Sequence, residues 1–172
     1  MVLKQLGVIK NNTKEAVLKS DETGLVMNGS SDSVFDQLHK TDKETTEIII
    51  HDDMTDVMEG IEEYSHLVVL YWGHMVSEKS RSIKKVHPMG NKKNKIQGVF
   101  STYSPVRPNP VLITVVRLLK KRGNVLEVVG MDAIDESPVI DIKPYVKEVF
   151  CFDDVSVPDW MSDCIKKYNS YD

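Results

Sequence analysis

A proline-rich segment in the middle of the chain, SPVRPNP at residues 104–110, carries the densest group of side chains suited to binding. Three prolines in six consecutive positions fix the φ angle at each proline and remove three amide donors. A loop that is stiff beforehand binds a ligand without first losing conformational entropy. Arg107 can pair with a carboxylate or phosphate, and Asn109 offers both a donor and an acceptor. The segment predicts a binding loop, with a proline-rich corner and a solvated arginine as the alternative.

A second polar cluster lies in GMDAIDESPVIDIKPY, residues 130–145. Its ionisable side chains are those of Asp132, Asp135, Glu136, Asp141, Lys143 and Tyr145. A carboxylate among apolar residues can serve as a general base or bind a ribose hydroxyl or nucleobase amine. Most charges at strand ends are merely solvated, so we expect only two of the six to function. His66 and His74 share one face of an extended run, but no third ligand has suitable spacing, and we predict no metal.

Positive charge is concentrated in the middle third of the chain, although the net charge is −4. Residues 79–124 contain twelve lysines or arginines and no aspartate or glutamate, which gives this segment +12. The other ten basic and 26 acidic residues carry −16. This segregation favours an anionic partner near the basic segment. Alternatively, the basic side chains scatter over different faces of the fold.

Short strands must position these residues. We predict strands at residues 2–10, 47–50, 66–72, 111–119, 125–129 and 139–142. Residues 66–72 are apolar throughout, as in a central strand buried on both faces, and Gly123-Asn124 predicts a hairpin turn. Residues 12–44 are predicted to be irregular, with one short helix. The remaining predictions are a helix at 53–61, a surface loop at 76–97, extended structure at 98–100 and a helix at 158–168. The absence of long amphipathic helices favours a sheet closed into a barrel or sandwich.

Length and composition predict one globular domain spanning residues 1–172, with 41% hydrophobic and 28% charged residues. The start of the sequence lacks the features of a secretory signal, and no apolar run approaches the ~20 residues of a membrane span. We therefore expect a cytoplasmic location. Cys151 and Cys164 fit neither a disulfide framework nor a zinc pattern and are interpreted as buried or idle thiols.

Three segments together resemble the TsaA/TrmO family of S-adenosylmethionine-dependent tRNA methyltransferases. They are IEEYSHLVVLYWGH at 61–74, GVFSTYSPVRPNP at 98–110 and the 130–145 segment. In order and spacing they are similar to the family pattern GVFATRSPxRPNPIGLS followed by DxxDGTPVLDIKPY, and the likeness covers residues 47–146. Its RPNP and DIKPY parts are the specific ones.

This resemblance implies a mainly β protein, a small closed or partly open β-barrel with a few short helices, often dimeric. It further implies S-adenosylmethionine as cofactor and methylation of the N6 amine of threonylcarbamoyladenosine next to the tRNA anticodon. The implied cofactor-binding residues are Ser104, Pro105, Arg107, Pro108, Asn109, Pro110 and Lys143. The residues that could receive the acceptor's proton are Asp132, Asp141 and Tyr145, which the sequence does not rank. The residues expected to contact tRNA are Lys84, Lys85, Lys92, Lys93 and Lys95.

The chain departs from the family pattern at several positions. Tyr103 stands where the family has the arginine of TRSP, VLIT at residues 111–114 replaces IGLS, and Glu136-Ser137 replaces GT. The lost arginine leaves cofactor affinity and substrate identity open. Two alternatives therefore stand beside tRNA methylation: a methyltransferase of the same fold with another nucleic-acid or small-molecule acceptor, and a non-catalytic barrel that binds RNA or a nucleoside.

Overall fold

A closed antiparallel β-barrel forms the centre of the protein in our computed structural model, which describes residues 2–16, 18–21, 24–27, 39–41 and 43–170. Within these ranges six strands close in the order β1-β10-β5-β8-β9-β4. The strands are β1 Gly7–Lys10, β2 Leu18–Asp21, β3 Gly24–Met27, β4 Thr45–Ile50, β5 His66–Trp72, β6 Lys85–Val86, β7 Gln97–Gly98, β8 Val111–Arg122, β9 Val125–Val129 and β10 Pro138–Pro144. The predicted mainly β barrel is confirmed.

Side chains that alternate along the strands fill the interior of the barrel. In β4, the sequence TTEIII places Ile48 and Ile50 inside and Glu47 outside. β-Branched residues suit this pleated, half-buried environment, and successive side chains point to opposite faces. The buried interior consists of Ile9, Ile48, Ile50, Met58, Leu67, Val69, Tyr71, Val116, Leu126, Val128, Met131, Ala133 and Val139.

β5 lies between β10 and β8, as a central strand should. Its Leu67 and Val69 face the interior, and Val68, which alternation places on the outer face, is also buried. On the outer face, however, His66, Leu70 and Trp72 are only half-buried, so the predicted burial on both faces holds for the inner face and for Val68 alone. The β8–β9 hairpin is confirmed, with Gly123 in the left-handed region at φ +58°.

Local structure differs from the prediction in three places. Within residues 12–44, predicted to be irregular with a short helix, the described part contains the hairpin β2–β3, and residues 28–38 lie outside the described residues. The predicted helix at 53–61 forms as two 3₁₀ segments, Asp52–Met58 and Ile61–Glu63, which are separated at Gly60. Val99–Ser101 is a 3₁₀ turn rather than extended chain.

The predicted loop between β5 and β8 contains short elements of its own: helix α1 at Glu78–Arg81, the pair β6–β7 and the 3₁₀ turn Pro88–Gly90. We call residues 73–110 the excursion. The hairpin strand β3 packs against this 3₁₀ turn and against β6. A second small core joins hairpin and excursion, formed by Leu25, Val86, Val99 and Val106. The excursion is therefore a supported structure, and its core holds the start of the proline-rich segment.

The carboxyl-terminal part contains two helices, α2 at Lys147–Phe150 and α3 at Asp159–Asn169. Pro158 caps the start of α3, which confirms the predicted terminal helix with a proline in its first turn. Tyr168 of α3 stacks on His39 with ring centroids 4.2 Å apart. No helix within the described ranges is long and apolar enough to cross a membrane.

Candidate functional site

Hydrogen bonds fix the proline-rich loop on both sides. The Ser104 side chain is buried, and its Oγ accepts a hydrogen bond from the Val106 amide at 3.2 Å. At the other end, the Pro110 carbonyl accepts a hydrogen bond from the Gly73 amide at 2.8 Å. A Cβ atom on Gly73 would lie 3.3 Å from Pro110 Cβ, so glycine permits this close approach. The loop is thereby attached to the carboxyl end of β5.

The groups that the loop presents outward are those with binding chemistry. Pro108 and Asn109 are exposed, and Arg107 is half-buried. The guanidinium carbon of Arg107 lies 5.7 Å from the ring centroid of Phe100, a cation–π distance. Phe100 was not among the predicted site residues. An aromatic residue close in sequence to Arg107 of the predicted loop could have indicated this contact.

Tyr71 connects the second motif to the same end of β5. Its buried hydroxyl donates a hydrogen bond to the backbone carbonyl of Asp132 and lies 3.3 Å from Thr114 Oγ1. Burial, reinforced by the nearby Asp132 carboxylate, raises the pKa of Tyr71 above its usual value. The phenol therefore stays protonated and acts as a donor. Tyr71 was not among the site residues predicted from the sequence. The one indication was a hydroxyl group within the apolar sequence of β5.

His74 also lies where the two motifs meet. Its Nδ1 is 3.3 Å from the Ser137 hydroxyl, and its amide is bonded to the Trp72 carbonyl. Burial lowers the pKa of His74 below its usual value, opposed by the Asp135 carboxylate. The imidazole is therefore neutral near pH 7. From the sequence, His74 was interpreted as a core or rim histidine in preference to a metal ligand.

Two of the acidic side chains hold the second motif in place. Asp135 accepts hydrogen bonds from Lys14 and, at 3.0 Å, from the Asn11 amide. These contacts lower the pKa of Asp135 below its usual value, the Lys14 hydrogen bond most strongly. Glu136, in the left-handed region at φ +66°, pairs with Lys10. Both carboxylates thus tie the 130–137 segment to the chain after β1.

Asp141, Lys143 and Tyr145 lie along the outer side of β10. Ile142 packs against the interior, so by alternation Asp141 and Lys143 face outward, where Lys143 Nζ lies 2.6 Å from Asp141 Oδ2. The Tyr145 ring stacks on Phe150 at 5.4 Å. A hydrogen bond with Cys151 raises the pKa of Tyr145 above its usual value.

Within one chain the predicted residues are spread along β5, with Asp141 opposite Leu70 and Lys143 opposite Val68. Strand register places Val111, which follows the proline-rich loop, opposite Trp72 at one end of β5. The Tyr145 amide bonds to the His66 carbonyl at the other end. Six residues along a strand span about 20 Å at ~3.3 Å each. The hydrogen bond from Tyr71 places Asp132 at the end of β5 next to the proline-rich loop, whereas Tyr145 lies at the opposite end of β5.

The basic segment is divided in the same way. The five lysines predicted to contact tRNA are all exposed on the excursion: Lys84, Lys85, Lys92, Lys93 and Lys95. Arg117, by contrast, pairs with His66 in register at the far end of β5. Further along β8, Lys121 bonds to Glu62 at 3.0 Å, and Arg122 pairs with Glu127. The positive charge therefore forms a group on the excursion rather than one continuous patch.

Shallow grooves occur away from the proline-rich loop, and one of them borders the second motif. One of about 340 Å³ lies between the 3₁₀ segments and the end of β10, lined by Tyr64, Ile142 and Pro144 among others. Another of about 320 Å³ is lined by residues 12–15 and by Lys40, Thr41 and Glu44. Neither contains a predicted site residue. The outward groups of the proline-rich loop line neither of these two grooves.

Comparison with known proteins gives a consistent assignment. The sequence profile of the family described as tRNA-methyltransferase O N-terminal domain matches residues 31–151. An S-adenosyl-L-methionine-binding protein of Archaeoglobus fulgidus is 37% identical over 151 residues, which cover 88% of this chain and 94% of that protein. A tRNA (adenine(37)-N6)-methyltransferase of Mus musculus is 39% identical over 89 residues, which cover 52% of this chain and 20% of that protein.

The fold matches solved structures of the same family. The crystal structure of TrmO from Pseudomonas aeruginosa aligns with a TM-score of 0.63 and 23% identity. The alignment covers 91% of this chain and 60% of that one, so this chain spans less than two thirds of the TrmO chain. Because the profile covers well over half of the sequence, the resemblance stated from the RPNP and DIKPY motifs is confirmed, and the chain belongs to the tRNA-methyltransferase O N-terminal domain family.

Proposed function

We propose that this chain binds S-adenosylmethionine at the proline-rich loop and methylates the N6 amine of threonylcarbamoyladenosine in tRNA. The observation that carries the proposal is the loop itself, fixed through Ser104 and Pro110 with Arg107 and Asn109 directed outward. The name of the Archaeoglobus relative supports the cofactor, and the name of the mouse relative supports the acceptor. We treat residues 1–172 as a single domain for this activity.

The exposed groups of the loop fit the chemistry of this cofactor. The Arg107 guanidinium matches its carboxylate, and the Asn109 amide can both donate to and accept from an adenine edge. Ser104 and Pro110 are buried, so we assign them to holding the loop's shape rather than to direct contact. When bound, the cofactor supplies an electrophilic methyl group on a sulfonium. The protein's main task is then to align donor and acceptor and to exclude water.

We assign the proton-accepting role to Asp132. Of the three predicted candidates, it alone is tied to the loop's end of β5, through the hydroxyl of Tyr71. Asp141 is engaged by Lys143, and the raised pKa of Tyr145 keeps its phenol protonated at neutral pH. A solvent-accessible carboxylate can take the proton directly or through water.

We further propose that the active form is a homodimer. Ile113, Val115 and Leu119 alternate along β8, each between 46% and 49% exposed, which leaves an apolar strip on the outside of the barrel. A second copy of the chain could pack against this strip and cover the exposed proline-rich loop. It could also supply Lys143, which lies on the outer side of β10. Size-exclusion chromatography with light scattering that gives a clean monomer would contradict this state.

The proposed acceptor accounts for the charge on the excursion. Neutralising Lys84, Lys85, Lys92 and Lys93 should weaken tRNA binding and reduce its salt dependence, since each phosphate contact releases counterions. One observation favours the alternative of another nucleic-acid or small-molecule acceptor: Tyr103 replaces an arginine of the family pattern. Methyl transfer to tRNA with and without threonylcarbamoyladenosine decides between the two acceptors. Cofactor binding without methyl transfer to either RNA would favour the non-catalytic alternative.

Calorimetric titration with S-adenosylmethionine tests the site. Arg107→Ala should weaken binding by about 10- to 100-fold, the usual contribution of a charged hydrogen-bonding group. Asn109→Ala should weaken it less. Arg122→Ala, at the far end of β8 and outside the apolar strip, is the matched control and should bind like the wild type. Unchanged affinity in the Arg107 variant, with an unchanged thermal unfolding curve, would refute the assignment of this loop.

A further inference from the structure

Two aromatic side chains next to the proline-rich loop are almost completely exposed. Phe100 is 79% and Tyr103 is 81% exposed. An aromatic ring left in water forfeits the favourable free energy of burial. A pair of such rings beside a candidate site therefore indicates a surface that a partner covers.

The backbone on both sides of these rings is fixed. Val99 and Val106 are buried in the second small core, before Phe100 and after Tyr103. Between them, the Thr102 hydroxyl donates a hydrogen bond to the Val99 carbonyl at 2.9 Å and accepts one from the Ser104 amide at 3.2 Å. The two rings are thus held on a preformed support, which lowers the entropy cost of binding.

Positive charge adjoins the rings directly. The Val99 amide donates a hydrogen bond to the Lys84 carbonyl at 3.0 Å, and Lys85 pairs with Gly98 across β6–β7. Both lysines are exposed, and Arg107 lies over the Phe100 ring. Residues 79–124 contain no acidic side chain. The surface therefore combines flat apolar faces with cations.

This combination is typical of sites for unpaired nucleic acid, in which bases stack on aromatic rings while cations contact the phosphates. In a duplex the base faces are hidden by their neighbours, so exposed rings select single-stranded segments. We infer that Phe100 and Tyr103 form a stacking platform for unpaired RNA bases next to the methyl acceptor. The inference rests on the proposed function. It also gives a role to Tyr103, which offers a stacking face where the family pattern has an arginine.

Fluorescence anisotropy with a labelled RNA stem-loop, compared with a fully paired duplex of the same composition, tests the platform. Tyr103→Ala and Phe100→Ala should each weaken stem-loop binding by about 5- to 150-fold, the range for loss of one stacked base. The slope of affinity against salt should not change, whereas Lys84→Ala should reduce that slope by about one. Tyr103→Phe should retain the affinity for the stem-loop. The affinity for the duplex should be the same in the wild type and in both alanine variants.

Phe152→Ala is the matched control, because Phe152 is 70% exposed but lies outside the basic segment. Equal loss in this control, or unchanged stem-loop affinity in both ring variants, would overturn the platform while leaving the proposed function intact. Wild-type protein that binds no RNA at low salt would overturn both. Light scattering that shows a smaller oligomer for Tyr103→Ala would identify the rings as subunit contacts. Calorimetric loss of S-adenosylmethionine binding in that variant would instead place Tyr103 in the cofactor site, which also refutes the platform.

Discussion

Replacing Tyr71 by phenylalanine removes a buried hydroxyl that joins the second motif to the loop's end of β5. The ring is 3% exposed, and the hydroxyl donates a hydrogen bond to the Asp132 carbonyl. Gly73, two residues further along the chain, donates to the Pro110 carbonyl. We expect the phenylalanine ring to remain packed while the segment around Asp132 loses its attachment.

The loss in free energy of unfolding depends on whether the Asp132 carbonyl is left without a hydrogen-bond donor. A typical intramolecular hydrogen bond contributes about 0.5–1.5 kcal/mol net, and more only when a buried partner remains unsatisfied. Asp132 is exposed, so water can replace the lost donor at its carbonyl. We therefore expect the free energy of unfolding to fall by about 1 kcal/mol, or about 2–4 °C in Tm for a chain of this size.

The effect should also depend on pH. Burial raises the pKa of Tyr71 above its unfolded value of about 10. A group with a raised folded pKa contributes its full stabilisation below the unfolded pKa and loses it as the pH rises further. The wild type should therefore lose stability above about pH 10, whereas Tyr71→Phe lacks this loss. The difference in free energy of unfolding between the wild type and Tyr71→Phe should therefore decrease above about pH 10.

Urea unfolding of the wild type and Tyr71→Phe, near neutral pH and above about pH 10, measures both effects. Tyr64→Phe is the matched control, because Tyr64 is 44% exposed and precedes the same strand. If Tyr71→Phe is no less stable than this control near neutral pH, the hydrogen bond does not stabilise the fold. A difference that grows in alkali would refute the account of the raised pKa.

Two further substitutions test the packing and the electrostatics of the barrel. Gly7→Ala should cost about 3 kcal/mol, because its Cβ would lie 2.2 Å from the Ile49 carbonyl oxygen, whereas Gly98→Ala meets nothing within 4 Å and should be nearly neutral in thermal unfolding. A stable Gly7→Ala protein would contradict the β1–β4 register. The pKa of Asp135 is lowered chiefly by Lys14, so its contribution is present above about pH 4 and lost as the pH falls. Asp135→Asn should therefore lose less stability than the wild type between neutral and acidic pH in urea unfolding, and identical acid sensitivity would refute the role of this pair.

Sequence reasoning was correct where local signals were long and unambiguous. The apolar run of β5 and the turn at Gly123 each determine their structure through local chemistry. The hairpin β2–β3 was missed because its strands have four residues each and depend on packing against β6 and the Pro88–Gly90 turn. Such distant contacts leave no periodic signal in a short strand.

The candidate site was predictable only in part, for a related reason. Prolines mark the binding loop within seven residues, so the loop could be identified directly. The placement of Tyr145 about 20 Å away along β5 depends on strand direction and register, which its motif does not encode. The contacts of Tyr71 and His74 with the second motif were not predicted because their partners, Asp132 and Ser137, are distant in sequence.

A net charge of −4 does not oppose RNA binding by this fold, because screening makes charge a local property. At physiological ionic strength, interactions between exposed charges fade over about 8 Å. The excursion lies at one end of β5, and the cations at the other end of β8 include Lys121 and Arg122, both paired with glutamates. A phosphate near Lys84 therefore experiences the exposed lysines of the excursion, such as Lys85, Lys92 and Lys93, and little of the acidic remainder. The same screening predicts that the affinity for RNA falls steeply with salt while the affinity for S-adenosylmethionine changes little.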